Sequence, residues 1–472
     1  MVFSSLIFLY LFLPAVLLLY FLLLERCRIA VLLAFSLVFY GFGEPAYLVI
    51  MLASITANFI FGAYIGKNKL SSPHKTKIVL ALSVALNLAV LCFFKYTDFF
   101  IENIALLPGL TGKLRPLGIA LPLGISLYTF QSMSYAIDVY RDDAQVQKSC
   151  TKFALYVSFF PQLIAGPIVR YKTIAAQLDS REENWEKRRS GLVRFMVGLA
   201  KKVLLANSFG QLWDFFSAMP AGERSLLGAW LGAAAFTMQI YFDFGGYSDM
   251  AIGLGRLFGF SFSENFQYPY LSKSITEFWG KRWHISLGTW FKEYLYIPLG
   301  GNRCTIPRHI FNLCIVWLLT GFWHGASWNF VLWGAYYAVL LVLEKYLLLK
   351  WLKRAPAWLS TLYSLFFVMI GWVIFSLNSF AEIAAYMRSM FVFAAPGFID
   401  DTVRYVLSGW TPLLLIGVAA CTPAGAMLMR RLRVRSERIY TLAEAVLCVA
   451  ALVVCTAYIV DANYNPFLYF RF

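Results

Sequence analysis

From Met1 to Leu24 the chain reads MVFSSLIFLYLFLPAVLLLYFLLL, without one charged side chain. As a helix rising 1.5 Å per residue, such a run is long enough to cross the ~30 Å hydrocarbon core of a bilayer. Inside lipid each backbone N–H and C=O needs an internal partner, so a continuous apolar run of this length dictates a membrane helix. A basic leading region and an A-x-A-like cleavage site are both missing, which marks a retained first span and not a signal peptide. Similar runs recur at about 29–40, 48–66, 78–95, 117–138, 191–209, 226–242, 309–323, 326–347, 358–377, 411–429 and 443–460. The expected fold class is all-α: a polytopic membrane protein of roughly ten to twelve membrane segments. With no long polar linker, residues 1–472 read as a single polytopic domain, and no internal repeat is visible.

Charge placement orients these segments. Only 14% of the residues are charged, against roughly 25% in soluble domains, and 60% are hydrophobic. The net charge of +16 could suit nucleic acid, but the basic residues fall between apolar runs, where positive-inside topology explains them. ERCR at 25–28 and KNKLSSPHKTK at 67–77 are basic, whereas GFGEPAY at 41–47 holds no Lys or Arg. Alternating sides then put the N-terminus outside the cytoplasm, and RRLRVRSER at 430–438 marks another cytoplasmic loop. SFFPQLIAGPIVRY at 158–171 has two prolines and a glycine within an apolar run, and both its flanks look cytoplasmic. A re-entrant loop is expected, and its broken backbone needs protein or a wet cavity around it.

Motifs of soluble enzymes are missing. There is no GxxxxGK[ST], HExxH or GxSxG, and GLGRLFG at 253–259 lacks dinucleotide spacing and a βαβ context. The eight cysteines are scattered without CxxC spacing, mostly in apolar runs. Buried thiols are expected, with no disulfide framework and no metal site.

Four histidines remain. His74 lies in the first basic loop, and His309 follows Pro307 and Arg308 at the edge of an apolar run. His284 belongs to SITEFWGKRWHISLGTWFKEYLYIPLGGNR at 274–303, which opens as a capping box: Ser274 can accept from the Glu277 amide. Trp279, Trp283, Leu287, Trp290 and Tyr294 recur every three or four residues, an apolar stripe on one helix lying at the interface or dipping into it. On this pattern alone, His284 is equally a border residue of an interfacial anchor. His324 is harder to place on a surface. Residues 310–323 carry no charge, and the next charged side chain is Glu344, so the imidazole lies near membrane depth.

An unsatisfied ring there would cost ~1–3 kcal/mol, and intramembrane ionisable groups point to function. On an unbroken helix its i+4 neighbour is Trp328, with Asn329 about 140° away, while Gly321 and Gly325 allow close helix contact or a local break. A neutral imidazole can accept a proton, which suits general-base catalysis. YFDFGGYSDM at 241–250 adds Asp243, Ser248 and Asp249, acids that either orient a histidine or satisfy neighbouring helices.

PQLIAGPIVRY, YFDFGGYSDMAIGLGRLFGF, NFQYPYLSKSITEFWGKRWHISLGTWFKEYLYIPLGGNR at 265–303, LTGFWHGASWNFVLWG and the terminal YNPFLYFRF resemble the membrane-bound O-acyltransferases, most closely the alginate O-acetylation branch. The resemblance runs from the first residues to the last, and WHISL with WHGASWN is its specific part. It implies a helical fold with a funnel or tunnel to a thin core. It makes His324 and His284 the catalytic pair, with Trp323, Asn329, Trp283, Ser286 and Asp243 as supporting or substrate-path residues. No residues for a bound cofactor are identified. Acetyl-CoA would be a donor substrate arriving from the cytoplasm of a bacterial inner membrane protein. The acetyl group would leave toward an exopolysaccharide, through a periplasmic SGNH-type partner. Peptidoglycan O-acetylation and teichoic acid D-alanylation are related outcomes. A lipid or polysaccharide transporter would also explain many spans but predicts paired repeat halves. A scaffold subunit predicts that both histidines are dispensable.

Overall fold

The computed structural model describes residues 1–110, 113–393, 396–461 and 468. Among these the secondary structure is helical, without a strand. Seven helices are long and apolar enough to cross a membrane: Glu25–Gly43, Pro45–Asn68, Pro73–Ala105, Trp328–Arg354, Ala357–Ser376, Asp401–Ala420 and Glu437–Asp461. The protein is a multi-pass membrane protein, and other helices such as Phe8–Leu22 and Ile306–His324 account for further apolar runs. The terminal YNPFLYFRF lies outside the described residues except for Leu468.

The chain forms two compact units, Met1–Phe195 with Met250–Ser263, and Met196–Asp249 with Glu264–Phe472. In the first, the opening helix is Phe8–Leu22, shorter than the uncharged run that contains it. Ser5 Oγ donates to Val2 O at 2.8 Å and closes a turn, and Phe3 folds back with its ring 4.9 Å from Phe8 and 5.8 Å from Phe39. Two neighbouring spans are joined at depth by polar side chains: Asn87 Nδ2 donates to Asn58 Oδ1 at 2.7 Å, and Ser83 Oγ to the same oxygen at 3.2 Å. Such bonds hold membrane helices together where no hydrophobic difference exists between helix and lipid.

No spanning helix forms over 158–171. The helix Cys150–Ser158 is followed by the four-residue helix Phe160–Leu163 and an irregular stretch, and within 158–171 every residue but half-buried Arg170 is buried. Side chains satisfy the freed backbone. Ser36 Oγ accepts from Phe160 N at 3.2 Å, Gln162 Nε2 donates to Tyr156 O at 2.6 Å, and Tyr156 Oη donates to Val169 O at 3.0 Å. Protein, as expected of broken backbone at depth, surrounds it. The glycines of GLGRLFG serve packing: a Cβ on Gly253 would meet Gly191 O at 2.6 Å, and one on Gly191 would meet Gly253 O at 2.7 Å, so two helices touch through their backbones.

All eight thiols are free, but only Cys421 and Cys455 are buried, while Cys92, Cys150 and Cys304 are exposed. The expectation of buried thiols fails because apolar sequence neighbours on a membrane helix face lipid as readily as protein. The second unit shows this on Glu437–Asp461, where Val449, Val453 and Val460 stand exposed. Its interior is built from bulky aromatics, with Trp333, Tyr337 and Trp372 fully buried among them.

Candidate active site

Sequence spacing suggests one continuous helix across 274–297, and the structure breaks it at the histidine. Ser274 Oγ accepts from Glu277 N at 2.9 Å and starts the first piece, Ile275–Glu277, which continues as the π-helical turn Phe278–Arg282. The reciprocal half of the capping box goes elsewhere, because Glu277 Oε2 accepts from Lys273 N at 3.0 Å. Trp283 is extended and His284 adopts a left-handed conformation with φ +43°. A second piece, Ile285–Phe291, then runs into the π-helical turn Lys292–Tyr296.

Left-handed backbone strains a non-glycine residue, and the strain persists only where surroundings fix it. Asn265 does the fixing: Ile285 N donates to Asn265 O at 3.0 Å, while Ser286 N and Oγ donate to Asn265 Oδ1 at 3.2 and 2.8 Å. Ser286, expected as a supporting or substrate-path residue, therefore anchors the histidine turn through Asn265, the first residue of the 265–303 stretch. The aromatic stripe survives the break, since Trp279, Trp283, Leu287, Trp290 and Tyr294 are all buried. Trp279 packs with its centroid 5.0 Å from Trp317 and from Tyr337.

His324 is the last residue of Ile306–His324, and the next helix starts at Trp328. Both alternatives open to Gly321 and Gly325 are realised. A Cβ on Gly321 would collide with Phe330 O, so the two helices are in backbone contact, while Gly325 is extended at the break. The imidazole sits among rings, 5.0 Å from Trp323, 5.1 Å from Trp333 and 5.4 Å from Phe375. Trp328, its i+4 neighbour on an ideal helix, is about half exposed because the helix ends first. Asn329 Nδ2 donates to Phe375 O at 3.1 Å, holding the main chain of a ring that borders the histidine.

The two motifs meet at Trp323, whose indole centroid is 6.4 Å from the His284 ring and 5.0 Å from that of His324. Trp283 closes the cluster against Trp372 at 4.7 Å. Both imidazoles are buried, at 6% and 9% exposure. A cavity of about 300 Å³ reaches His284 and is walled by Trp279, Trp283, Leu287, Trp317 and Thr320, with Lys292, Glu293 and Tyr296 also lining it. His284 lies outside the seven spanning helices, and burial pushes its pKa down to about 3, so the ring is neutral near neutral pH. It is suited to donating or accepting a hydrogen bond, not to carrying charge.

The acids of YFDFGGYSDM have their own counter-charges. Asp243 pairs with Lys202 and accepts from Leu468 N at 2.9 Å, and Asp249 pairs with Lys201 at 2.7 Å. These contacts match the helix-satisfying alternative for both carboxylates. Trp372 and Phe375 border the site outside every quoted motif, and Trp333 does not stand out within LTGFWHGASWNFVLWG, because an aromatic in an apolar run looks the same whether it faces lipid or a histidine.

One buried histidine lining a cavity, with a second one indole away and each at a break between helices, is the arrangement of an enzyme site in a polytopic membrane protein. A family model for MBOAT, the membrane-bound O-acyltransferase family, matches residues 139–381, which include both histidines. The Probable alginate O-acetylase AlgI of Azotobacter vinelandii is 43% identical over 378 residues, 79% of this chain and 75% of that protein. A Peptidoglycan O-acetyltransferase of Helicobacter pylori is 33% identical over 425 residues, 83% of this chain and 80% of that protein. A Teichoic acid D-alanyltransferase of Bacillus subtilis is 28% identical over 277 residues, 54% of this chain and 68% of that protein. This chain belongs to the membrane-bound O-acyltransferase family and is an O-acyltransferase. Family membership decides against the transporter and scaffold readings.

Proposed function

We propose that this protein moves an acetyl group from acetyl-CoA to a hydroxyl acceptor, for O-acetylation of an exported, alginate-like polysaccharide. The observation that carries the reading is the cavity of about 300 Å³ that His284 lines, with His324 one indole away. Identity of 43% to an alginate O-acetylase, against 33% and 28% to the other two relatives, favours that polymer class over peptidoglycan or teichoic acid. The protein lies in the bacterial inner membrane with its N-terminus outside the cytoplasm, and the donor comes from the cytoplasmic side. The immediate acceptor is a hydroxyl on a periplasmic SGNH-type partner, which passes the acetyl group to the polymer.

In this mechanism the donor's thioester end occupies the cavity and the neutral His284 hydrogen-bonds it. His324 takes the acceptor's hydroxyl proton as the oxygen attacks the thioester carbonyl. A C–O bond forms, the C–S bond breaks, and the proton passes to the departing sulfur. Meeting at one point from opposite sides supplies the proximity that the bilayer otherwise prevents.

The test is acetyl transfer from labelled acetyl-CoA by purified protein with wild-type, Ala and Asn side chains at each histidine. His284→Ala is expected to weaken binding of a non-hydrolysable acetyl-CoA analogue about tenfold, the loss of one or two buried hydrogen bonds. His284→Asn partly restores it, since an amide both donates and accepts. Because His284 stays neutral above about pH 3, the Asn variant keeps both limbs of the wild-type pH–rate profile. Loss of a limb, or equal rescue by Asn at both positions, removes the assigned division of roles.

Sidedness has its own check. Single cysteines placed in 67–77, 172–190 or 430–438 of a cysteine-free variant are expected to react with impermeant maleimide only after cells are opened. Labelling at 172–190 in intact spheroplasts would overturn the re-entrant topology of 158–171.

A further inference from the structure

The cavity-lining segment between Thr276 and Tyr296 does not fix its own shape. It consists of two short helical pieces joined at the extended Trp283 and the left-handed His284. Its first residue on the cavity wall is Thr276 and its last is Tyr296. Where those two ends are held therefore sets how far apart the cavity walls stand and where His284 points.

Both ends are tied to one turn elsewhere in the chain. Glu344, with no exposed surface, opens the π-helical turn Glu344–Leu348. Its Oε1 accepts from Ile275 N at 2.6 Å, and its Oε2 accepts from Thr276 N at 2.8 Å and Thr276 Oγ1 at 2.7 Å. With Ser274 taking Glu277 N, three first-turn N–H groups that a helix cannot satisfy internally are satisfied by side chains. Three donors converging on two oxygens suit a carboxylate, and charge strengthens each bond at a helix N-terminus. A glutamine offers only one accepting oxygen.

Two residues along the same turn, Tyr346 Oη lies 2.5 Å from His309 Nδ1, and His309 Nε2 lies 2.8 Å from Tyr296 Oη. His309 is buried, and its two nitrogens on opposite sides of the ring bridge the two phenols. Single π-helical turns inside α-helices are frequent at functional sites, where the added residue redirects side chains.

We propose that the turn Glu344–Leu348 is a clasp on both ends of the cavity wall, with Glu344 and His309 as positioning residues that orient His284 and limit the acyl chain the cavity admits. The chain-length part rests on the reading of the cavity as the donor chamber. The clasp itself rests only on the hydrogen bonds that Glu344 accepts from one end of the wall and on the Tyr346–His309–Tyr296 bridge to the other, and can be tested without a donor.

The experiment uses full-length protein in detergent, comparing wild type with Glu344→Gln, Glu344→Ala, Tyr346→Phe and His309→Phe. Hydrogen exchange is read by mass spectrometry without donor. Peptides covering 275–296 are expected to exchange about tenfold faster in Glu344→Ala and His309→Phe, the effect of losing a buried bond. Peptides from Pro45–Asn68 should not change, and Glu344→Gln and Tyr346→Phe, chosen in case the larger changes prevent folding, should fall between. Unchanged exchange over 275–296 in the folded variants overturns the clasp.

Kinetics with acetyl-CoA and butyryl-CoA then ask whether the clasp positions. The wild-type preference for acetyl-CoA in kcat/KM should fall at least about threefold in the loosened variants, a smaller effect than a full lost bond. Faster exchange with an unchanged preference and unchanged KM leaves a purely structural tie and overturns the positioning role. If wild type itself fails to turn over acetyl-CoA, the donor reading and the chain-length role fall together, while the exchange result still decides the clasp.

Discussion

Replacing His324 with alanine is expected to lower acyl transfer by about 10²–10⁴-fold, the range general-base catalysis supplies, with membrane insertion and yield near normal. The ring ends a helix, so its removal disturbs no helical hydrogen bond, and of its neighbours Trp323 is held on the same helix while Trp333 and Phe375 are held on two others. Asparagine at this position should fail equally, because an amide cannot take up a proton at neutral pH. Transfer assays with a saturating donor make the comparison. More than a tenth of wild-type transfer in His324→Ala would remove the residue from the role of base.

Removing the ammonium of Lys202 is expected to be the largest stability effect of any single side chain in the second unit. Lys202 and Asp243 pair with side chains only 3% and 1% exposed, so Lys202→Met strands a buried carboxylate. Stranding one partner of a buried pair costs about 3–5 kcal/mol, whereas replacing both with uncharged groups costs far less. Thermal unfolding in detergent should therefore show a steep loss for Lys202→Met and recovery of most of it in Lys202→Met/Asp243→Asn. A double variant as unstable as the single one would show that the pair's geometry matters, not its charge balance.

Much of the site is legible in the sequence because the membrane makes polar residues conspicuous. His324 stands out in a run with no charged neighbour from 310 to 343, and a ring at that depth has few reasons to be there. The capping residue Ser274 is equally legible, since first-turn N–H groups need a partner and its oxygen is in reach. The roles of Asn265 and Glu344 are not. Each acts on a segment distant in sequence, and local spacing carries no record of which distant side chain will arrive at a backbone amide. Asp243 shows the reverse difficulty: its depth marks it as important, but sequence cannot choose between a histidine and Lys202 as its partner.

The sequence by itself determines that the chain is a helical membrane protein and which histidines lie in it, because apolar length and charge placement are properties of consecutive residues. It also points to a break over 158–171, where two prolines and a glycine crowd one apolar run between two flanks of the same character. Only the tertiary structure decides that the amphipathic stripe of 274–297 breaks at His284, and that Trp323 brings the two histidine motifs together. It alone shows which cysteines are covered by protein and which face outward. The physical reason is the same each time. Hydrophobicity fixes that a residue avoids water, but close packing and hydrogen bonding between distant segments fix what it touches instead.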